Sequence, residues 1–285
     1  MGKHLQKVLK DNNISFIAGT RALYGDILLQ SNWEDLLKDC QAVIHLAARV
    51  HVMNEVETDP LLAFRKYNVE TTVNLAKAAK AVGVKRFIFI SSVKVNGEET
   101  TEKPFTSMDA PAPHDPYGIS KAEAEEALLK LHEPNIFEIV IIRPPLIYGP
   151  GVKANFKNLM SLVERNFPLP FGSVKNKRSM VSVFNLVDLI ITCLSHPCAG
   201  GKIFLVSDDN DLSLPELIKK MALVQKKKVR LLPVPVKVME LGAKLIGKKD
   251  YAERLFGNLQ VDISETKKNL DWTPPYSFEQ TFANQ

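Results

Sequence analysis

Cysteine is scarce in this 285-residue chain. Its three cysteines, Cys40, Cys193 and Cys198, are odd in number, lack metal-ligand spacing and have no histidine cluster near them. That argues against a disulfide framework and against a metal site, and the thiols read as reduced core or surface groups. Long apolar runs are lacking too. The most apolar stretch, VSVFNLVDLIITCL (181–194), is too short to span a bilayer and carries Asn185 and Asp188. No signal-peptide pattern opens the chain, because Lys3, His4, Gln6 and Lys7 interrupt the first apolar residues. A cytoplasmic protein without stable membrane insertion is expected. Strong charge is also missing: the formal net charge of +5 is mild for this length and does not call for nucleic acid. The Lys226-Lys227-Lys228 run and the Lys248-Lys249 pair read as solvated helix ends in preference to a surface for anionic lipid or a polyanion. Internal repeats and low-complexity linkers are absent.

What remains is an ordinary globular composition, 45% hydrophobic and 24% charged, able to bury a large core. Short apolar runs alternate with helical spacing. ISFIAG (14–19), QAVIHLAA (41–48), RFIFISS (86–92) and IFEIVIIRP (136–144) read as strands, and helices are expected from about Pro60 to Ala81 and from Pro116 onward. Strands apolar on both faces and separated by helices imply a parallel sheet covered on both sides, an α/β doubly wound fold of Rossmann type. After Pro150 the pattern loosens. KIFLVS (202–207) and the helix LSLPELIKKMALV suggest a smaller C-terminal lobe, with residues 1–150 forming the dinucleotide-binding region and 151–285 mainly the substrate lobe, some of its segments returning to the sheet.

One part of that fold is not legible. Leu5, Val8 and Leu9 fall at helical spacing and Asp11-Asn12-Asn13 reads as a helix stop, so the chain opens inside a helix. In a doubly wound nucleotide fold the first strand feeds a glycine-rich turn and then a helix whose N-terminus faces a diphosphate. Gly2 looks like the last glycine of such a turn, without the strand and the other two glycines. The expectation is that the first strand is missing and that the start at Met1 is internal to a longer gene.

The chemistry concentrates in FISSVKVNG (89–97) and DPYGISK (115–121). Tyr117 and Lys121 stand four apart and share one face of a starting helix. A lone Tyr-x-x-x-Lys is weak evidence, but Ser92 lies 25 residues earlier at the end of an expected strand. A phenol of ordinary pKa near 10 is a poor base at neutral pH, and a neighbouring ammonium lowers that value. Tyr117 is thus the candidate acid/base, Lys121 the group that tunes it, and Ser92 the hydroxyl that aligns a substrate.

These residues resemble the extended short-chain dehydrogenase/reductases of the NAD-dependent epimerase/dehydratase family, in particular nucleotide-sugar 4-epimerases and their 4-ketoreductase relatives. Essentially the whole chain takes part. Gly25-Asp26-Ile27 resembles the family's GD[IL] element, whose Asp meets the adenine, and VIHLAARV (43–50) its third parallel strand, where Ala47 and Ala48 let backbone approach the cofactor. YNVETTVNLAKAA (67–79) resembles the N-V-x-G-T helix, with Asn68 orienting the active-site end and Thr71 in place of Gly. SVKVNG has Asn96 where the family has Tyr, and RPPLIYGPG (143–151) resembles the stretch that leads into the substrate lobe. In that lobe the resemblance implies Asn158 and Arg178 as diphosphate contacts, Arg254 as a second phosphate arginine, and the strip FPLPFG, with Phe171, beside uracil.

The resemblance implies hydride transfer at C4 of a UDP-hexose or UDP-N-acetylhexosamine, with NAD or NADP, in the synthesis of surface-polysaccharide precursors. Arg21, and no acid, follows the second apolar run, which leans toward NADP and equally suits a solvated loop charge. A UDP-4-keto-sugar reductase using NADPH is the alternative, and a non-catalytic nucleotide-binding remnant a second one. Homodimers built from two long helices per subunit are common in the family, and helices at about 60–81 and 117–133 would have to supply them.

Overall fold

The computed structural model describes residues 1–28, 33–50, 59–151, 155–165, 167–245, 247 and 249–283. The elements follow in the order α1 (Gly2–Asp11), α2 (Arg21–Tyr24), α3 (Glu34–Leu37), β1 (Ala42–His45), α4 (Pro60–Arg65), a π-helical turn (Lys66–Glu70), α5 (Thr71–Ala81), β2 (Arg86–Ile90), α6 (Pro116–Leu129), β3 (Glu138–Arg143), β4 (Leu146–Tyr148), α7 (Asn155–Glu164), β5 (Met180–Ser182), α8 (Val183–Ser195), β6 (Lys202–Leu205), α9 (Leu214–Val224), α10 (Val236–Leu245), α11 (Lys249–Phe256), α12 (Ser264–Leu270) and α13 (Phe278–Ala283).

Four strands form one sheet in the order β1-β2-β3-β6, every neighbour parallel. The alternation along β2 and β3 explains why the sheet must be covered twice. Phe87, Phe89, Ile139 and Ile141 point into a cluster with Leu75, Ala76 and Ala79 of α5 and Ala124 and Leu128 of α6. Ile88, Ile90, Val140 and Ile142 point the other way, into a cluster with Leu5 and Leu9 of α1 and Leu186, Leu189 and Ile190 of α8. Side chains alternate sides at every residue of a strand, so a run apolar throughout needs helices on both faces.

Two runs behave differently from their sequence pattern. Residues 14–19 form no strand, and Ile14 and Ile17 are exposed. A strand exists only through ladder partners, and among the described residues no strand is available beside this run. The run at 202–207 does form a strand, and β6, expected in the smaller lobe, is one of the second-half segments that return to the large sheet, beside β3. The second half of the chain therefore supplies both β6 and the covering helix α8. A separate apolar cluster gathers Tyr148, Phe156, Leu169, Val174, Met180, Ile218, Met221 and Phe278, and beside it β4 and β5 make a two-stranded parallel sheet. Helix α1 ends where its pattern stops: Asn12 Nδ2 donates to the Val8 carbonyl at 2.8 Å, and Asn13 takes φ 55°. Cys193 is buried, Cys40 half-buried and Cys198 exposed, all as free thiols. No helix among the described residues is long and apolar enough to cross a membrane.

Candidate active site

Helix α6 begins at a proline, with Asp115 as its cap: Asp115 Oδ1 accepts from the Gly118 N–H at 2.6 Å. The first turn lies tight against the loop after Ser92. A Cβ on Gly118 would stand 2.9 Å from the Lys94 carbonyl oxygen, so only glycine lets the turn carrying Tyr117 approach this closely. Lys94 holds the same junction from the other side through ion pairs to Asp115 and to Glu98. As a result the Ser92 side chain faces the Tyr117 hydroxyl across the gap between β2 and α6, near enough to act on its pKa.

Lys121, one turn further on, is fully buried. Its Nζ donates to the Ile90 carbonyl at 2.7 Å and sits 3.8 Å above the Phe89 ring. Burial pushes its pKa down to about 7, against the pull of Glu125. Tyr117 moves the opposite way. Burial and the nearby Asp115 carboxylate push its pKa up to about 12, with Ser92 acting to lower it. The ammonium bonds to a strand carbonyl, while the charge that acts on the phenol is the capping aspartate.

Asn68 occupies the π-helical turn, a geometry frequent at functional sites because its extra residue re-aims a side chain. The amide bridges two elements: Nδ2 donates to Ser120 Oγ at 3.0 Å and to the Arg49 carbonyl at 3.1 Å, and Oδ1 accepts from the Arg49 N–H at 2.8 Å. Ser120 in turn donates to the Tyr117 carbonyl at 2.8 Å, and the Phe64 ring meets Tyr117 edge-on at 6.1 Å. Ala47 and Ala48 come just after β1 and Leu46, Ala47 exposed and Ala48 half-buried, on the same carboxyl side of the sheet.

Around the start of α1 a cleft of about 420 Å³ is lined by Met1, Gly2, Lys3, His4, Gln6, Thr20, Pro150 and Gly151. The His4 ring donates to the Pro150 carbonyl at 2.8 Å, tying the helix to the glycine-proline-glycine stretch. The nearest heavy atom to a Cβ on Gly2 would be Leu46 Cδ1 at 3.9 Å, an ordinary contact. The packing around Gly2 among the described residues therefore does not demand glycine. Asp26 and Arg21 pair with each other at 2.8 Å, and Asp26 also accepts from the Leu28 N–H at 3.1 Å; Ile27 lies half-buried between them and the sheet edge in sequence.

Three substrate candidates come together elsewhere. Arg178 Nη1 donates to the Arg254 carbonyl at 2.8 Å and to that of Gly257 at 3.1 Å, at the end of α11, and Phe171 packs at a tilt against Phe256 at 6.3 Å. The Arg254 side chain is exposed. Asn158 lies exposed on α7, and no hydrogen bond ties it to that group among the described residues. The loop after Ser92 reaches this region through Thr100 N–H to the Asn258 carbonyl at 3.1 Å and Phe105 N–H to the Gln260 carbonyl at 2.9 Å.

The network behind the site escaped the sequence reading. Arg143 and Glu125, both almost fully buried, pair at 2.6 Å; Ser91 donates to Glu125, and Arg143 Nη1 donates to Asn96 Oδ1 at 3.0 Å. Asn96 therefore satisfies a buried arginine. The pair could have been found from Glu125 falling four residues after Lys121, one helical turn deeper. His45, at the end of β1, stacks on Phe89 and hydrogen-bonds Thr72 Oγ1 at 3.0 Å; burial and Lys121 push its pKa down to about 3. No group of three or more histidine, cysteine, aspartate or glutamate side chains able to hold a metal occurs among the described residues.

Comparison with known proteins agrees with this geometry. A UDP-glucose 4-epimerase of Vibrio cholerae is 52% identical over 260 residues, covering 90% of this chain and 79% of that protein. An N-acetyl-alpha-D-glucosaminyl-diphospho-ditrans,octacis-undecaprenol 4-epimerase of Escherichia coli O157:H7 is 30% identical over 274 residues, covering 90% of this chain and 80% of that protein. Among solved structures, a short-chain dehydrogenase/reductase superfamily protein from Agrobacterium tumefaciens with bound NAD superposes with a TM-score of 0.75 at 18% identity, covering 99% of this chain and 92% of that one, a likeness of fold. The profile of the NAD dependent epimerase/dehydratase family matches residues 1–207. This chain belongs to the NAD dependent epimerase/dehydratase family.

Proposed function

We propose that the chain is an NAD(P)-dependent UDP-sugar 4-epimerase acting at C4 of a UDP-hexose or UDP-N-acetylhexosamine, in the supply of surface-polysaccharide precursors. The observation that carries the reading is 52% identity to a UDP-glucose 4-epimerase across 90% of the chain, combined with the meeting of Ser92 and Tyr117 above a buried Lys121. The 30% identical relative is also named a 4-epimerase, of a lipid-linked N-acetylglucosaminyl diphosphate.

A nicotinamide dinucleotide fits the residues present. The cleft at the start of α1 exposes helix N–H groups suited to a diphosphate, and Lys121, which has three donors, uses one on Ile90. We assign Gly2 to the diphosphate, Asp26 and Ile27 to the adenine end with Arg21 at its rim, Ala47 and Ala48 to the close backbone approach, and Asn68, Tyr117 and Lys121 to the nicotinamide end. When bound, the nicotinamide supplies a hydride acceptor and donor. The chain does the proton work. Tyr117 Oη takes the proton of the C4 hydroxyl and later returns it. Ser92 Oγ aligns that hydroxyl, and the Lys121 charge supports the phenolate. Arg178 and Arg254 meet the UDP diphosphate, with Asn158 beside them and Phe171 against uracil. An arginine fork suits phosphate oxygens because it can donate two parallel bonds.

The test is turnover of UDP-glucose, UDP-N-acetylglucosamine and a UDP-4-keto-6-deoxy sugar, each with NAD and with NADPH. Epimerised product without net cofactor consumption is expected. Stoichiometric oxidation of NADPH by the keto sugar alone would replace the epimerase by a reductase, and UDP binding without turnover would leave a nucleotide-binding protein. Tyr117→Phe is expected to lower kcat by roughly 10²–10⁴-fold with UDP-sugar affinity unchanged. A variant retaining most of its turnover removes the acid/base role.

A further inference from the structure

The net positive charge of this protein equals that of one segment. Residues 223–245 hold six basic side chains, Lys226, Lys227, Lys228, Arg230, Lys237 and Lys244, against a single acid, Glu240. The chain has 37 basic and 32 acidic residues in all, so everything outside the segment is balanced, 31 against 31. All six basic residues are exposed. The same segment carries the most exposed apolar face among the described helices. On α10, Val236 and Met239 pack inward against the second apolar cluster. Val238, Leu241 and Leu245 stand on the opposite side at i, i+3 and i+7, exposed by 59%, 60% and 80%. Lys237 and Lys244 flank that stripe along one shoulder. Ahead of the helix, Leu232 is exposed as well, by 48%.

We propose that this face docks the protein flat onto an anionic lipid surface, in place of the solvated helix end expected from the lysine run alone. Ten helical residues are about half the length a bilayer crossing needs, so the helix lies in the interface plane, its apolar stripe among the upper acyl chains. The flanking lysines bury their stems and keep their ammonium groups at the phosphates. Each basic residue held near an anionic bilayer adds to the attraction, and six with one opposing acid make it cumulative. The alternatives suit the patch less. A nucleic acid offers no apolar layer, so the stripe would remain in water. A second copy across a two-fold axis would set this positive segment against itself. The proposal does not depend on which sugar is the substrate.

The experiment is vesicle flotation of the full chain with phosphatidylcholine alone and with a phosphatidylcholine–phosphatidylglycerol mixture, at low and high salt. Recovery is expected with the anionic vesicles only, diminishing as salt rises. The triple substitution K226E/K227E/K228E should lower partitioning on the order of a hundredfold, at about one kcal/mol per basic residue. V238S/L241S/L245S should abolish it at low salt too, while light scattering shows an unchanged mass and thermal melts stay superimposable. UDP-sugar turnover in free solution should stay unchanged in both variants. Absence of flotation with either vesicle overturns the proposal, as does equal recovery from neutral ones. So does a fall in mass from dimer to monomer in the apolar variant, which would make the face an interface between copies.

Discussion

Tyr117 carries two opposing influences that differ by position alone. Asp115 caps the helix and at the same time disfavours the phenolate, while Ser92 favours it. Removing the charge but keeping the cap separates the two effects, because Asn caps a helix about as well as Asp. In Asp115→Asn the limb of the pH–rate profile that follows Tyr117 should move to lower pH, with the melting temperature nearly unchanged. In Ser92→Ala the same limb should move to higher pH, with turnover lowered on the order of 10²-fold. A profile unmoved in both variants would remove the phenol from the rate. The roles of Ser92 and Tyr117 could be suspected from spacing, since a strand end and a helix start are local properties. Where the Lys121 ammonium goes could not: its nearest acceptor, the Ile90 carbonyl, is 31 residues away and belongs to a strand end that only the sheet brings beneath the helix.

At the scale of elements, α6 and β3 are joined by the Arg143–Glu125 pair, with relative exposures of 1% and 3%. A buried pair adds little net stability, but breaking it leaves an uncompensated charge. Arg143→Met should therefore destabilise the fold by roughly 3–5 kcal/mol in denaturant titration, and adding Glu125→Leu should recover most of that loss. Equal midpoints for Arg143→Met and the parent would show the pair is solvated in solution. The helix from Pro60 to Ala81 was legible from its apolar spacing, but its π-helical interruption was not. Five residues of wider winding are set by what Asn68 must reach, Ser120 on α6 and the backbone of Arg49, and neither lies within its own helix. Likewise 14–19 has the composition of a strand and lacks the ladder that would make it one.

For the whole molecule, two buried cationic-capable groups tie stability to pH. His45 is depressed from 6.5 to about 3, so between those values the unfolded chain takes up a proton that the folded chain refuses, and stability is lost as pH falls through that window. Lys121 is depressed from 10.5 to about 7. The unfolded chain again holds the extra proton in between, so stability climbs as pH rises from about 7 toward 10.5. Lys121→Met should flatten the upper rise and increase the melting temperature at neutral pH by several degrees, while abolishing turnover. A melting temperature that falls instead would show that the buried ammonium is a net stabiliser.

Residues near one another in the chain determined much of this protein without help. Apolar runs fixed on both faces meant a covered parallel sheet, Asp115-Pro116 opened a helix, and the interval between Lys121 and Tyr117 set them on one side of it, because strand and helix periods are local geometry. The tertiary structure decided the rest. It put β6 into the large sheet, gave Lys121 a carbonyl in place of the phenol, closed Glu125 onto Arg143, and turned the apolar side of α10 outward among lysines. Each of those outcomes depends on which distant surface is left to be covered or paired once the sheet has formed, and no interval along the chain encodes that.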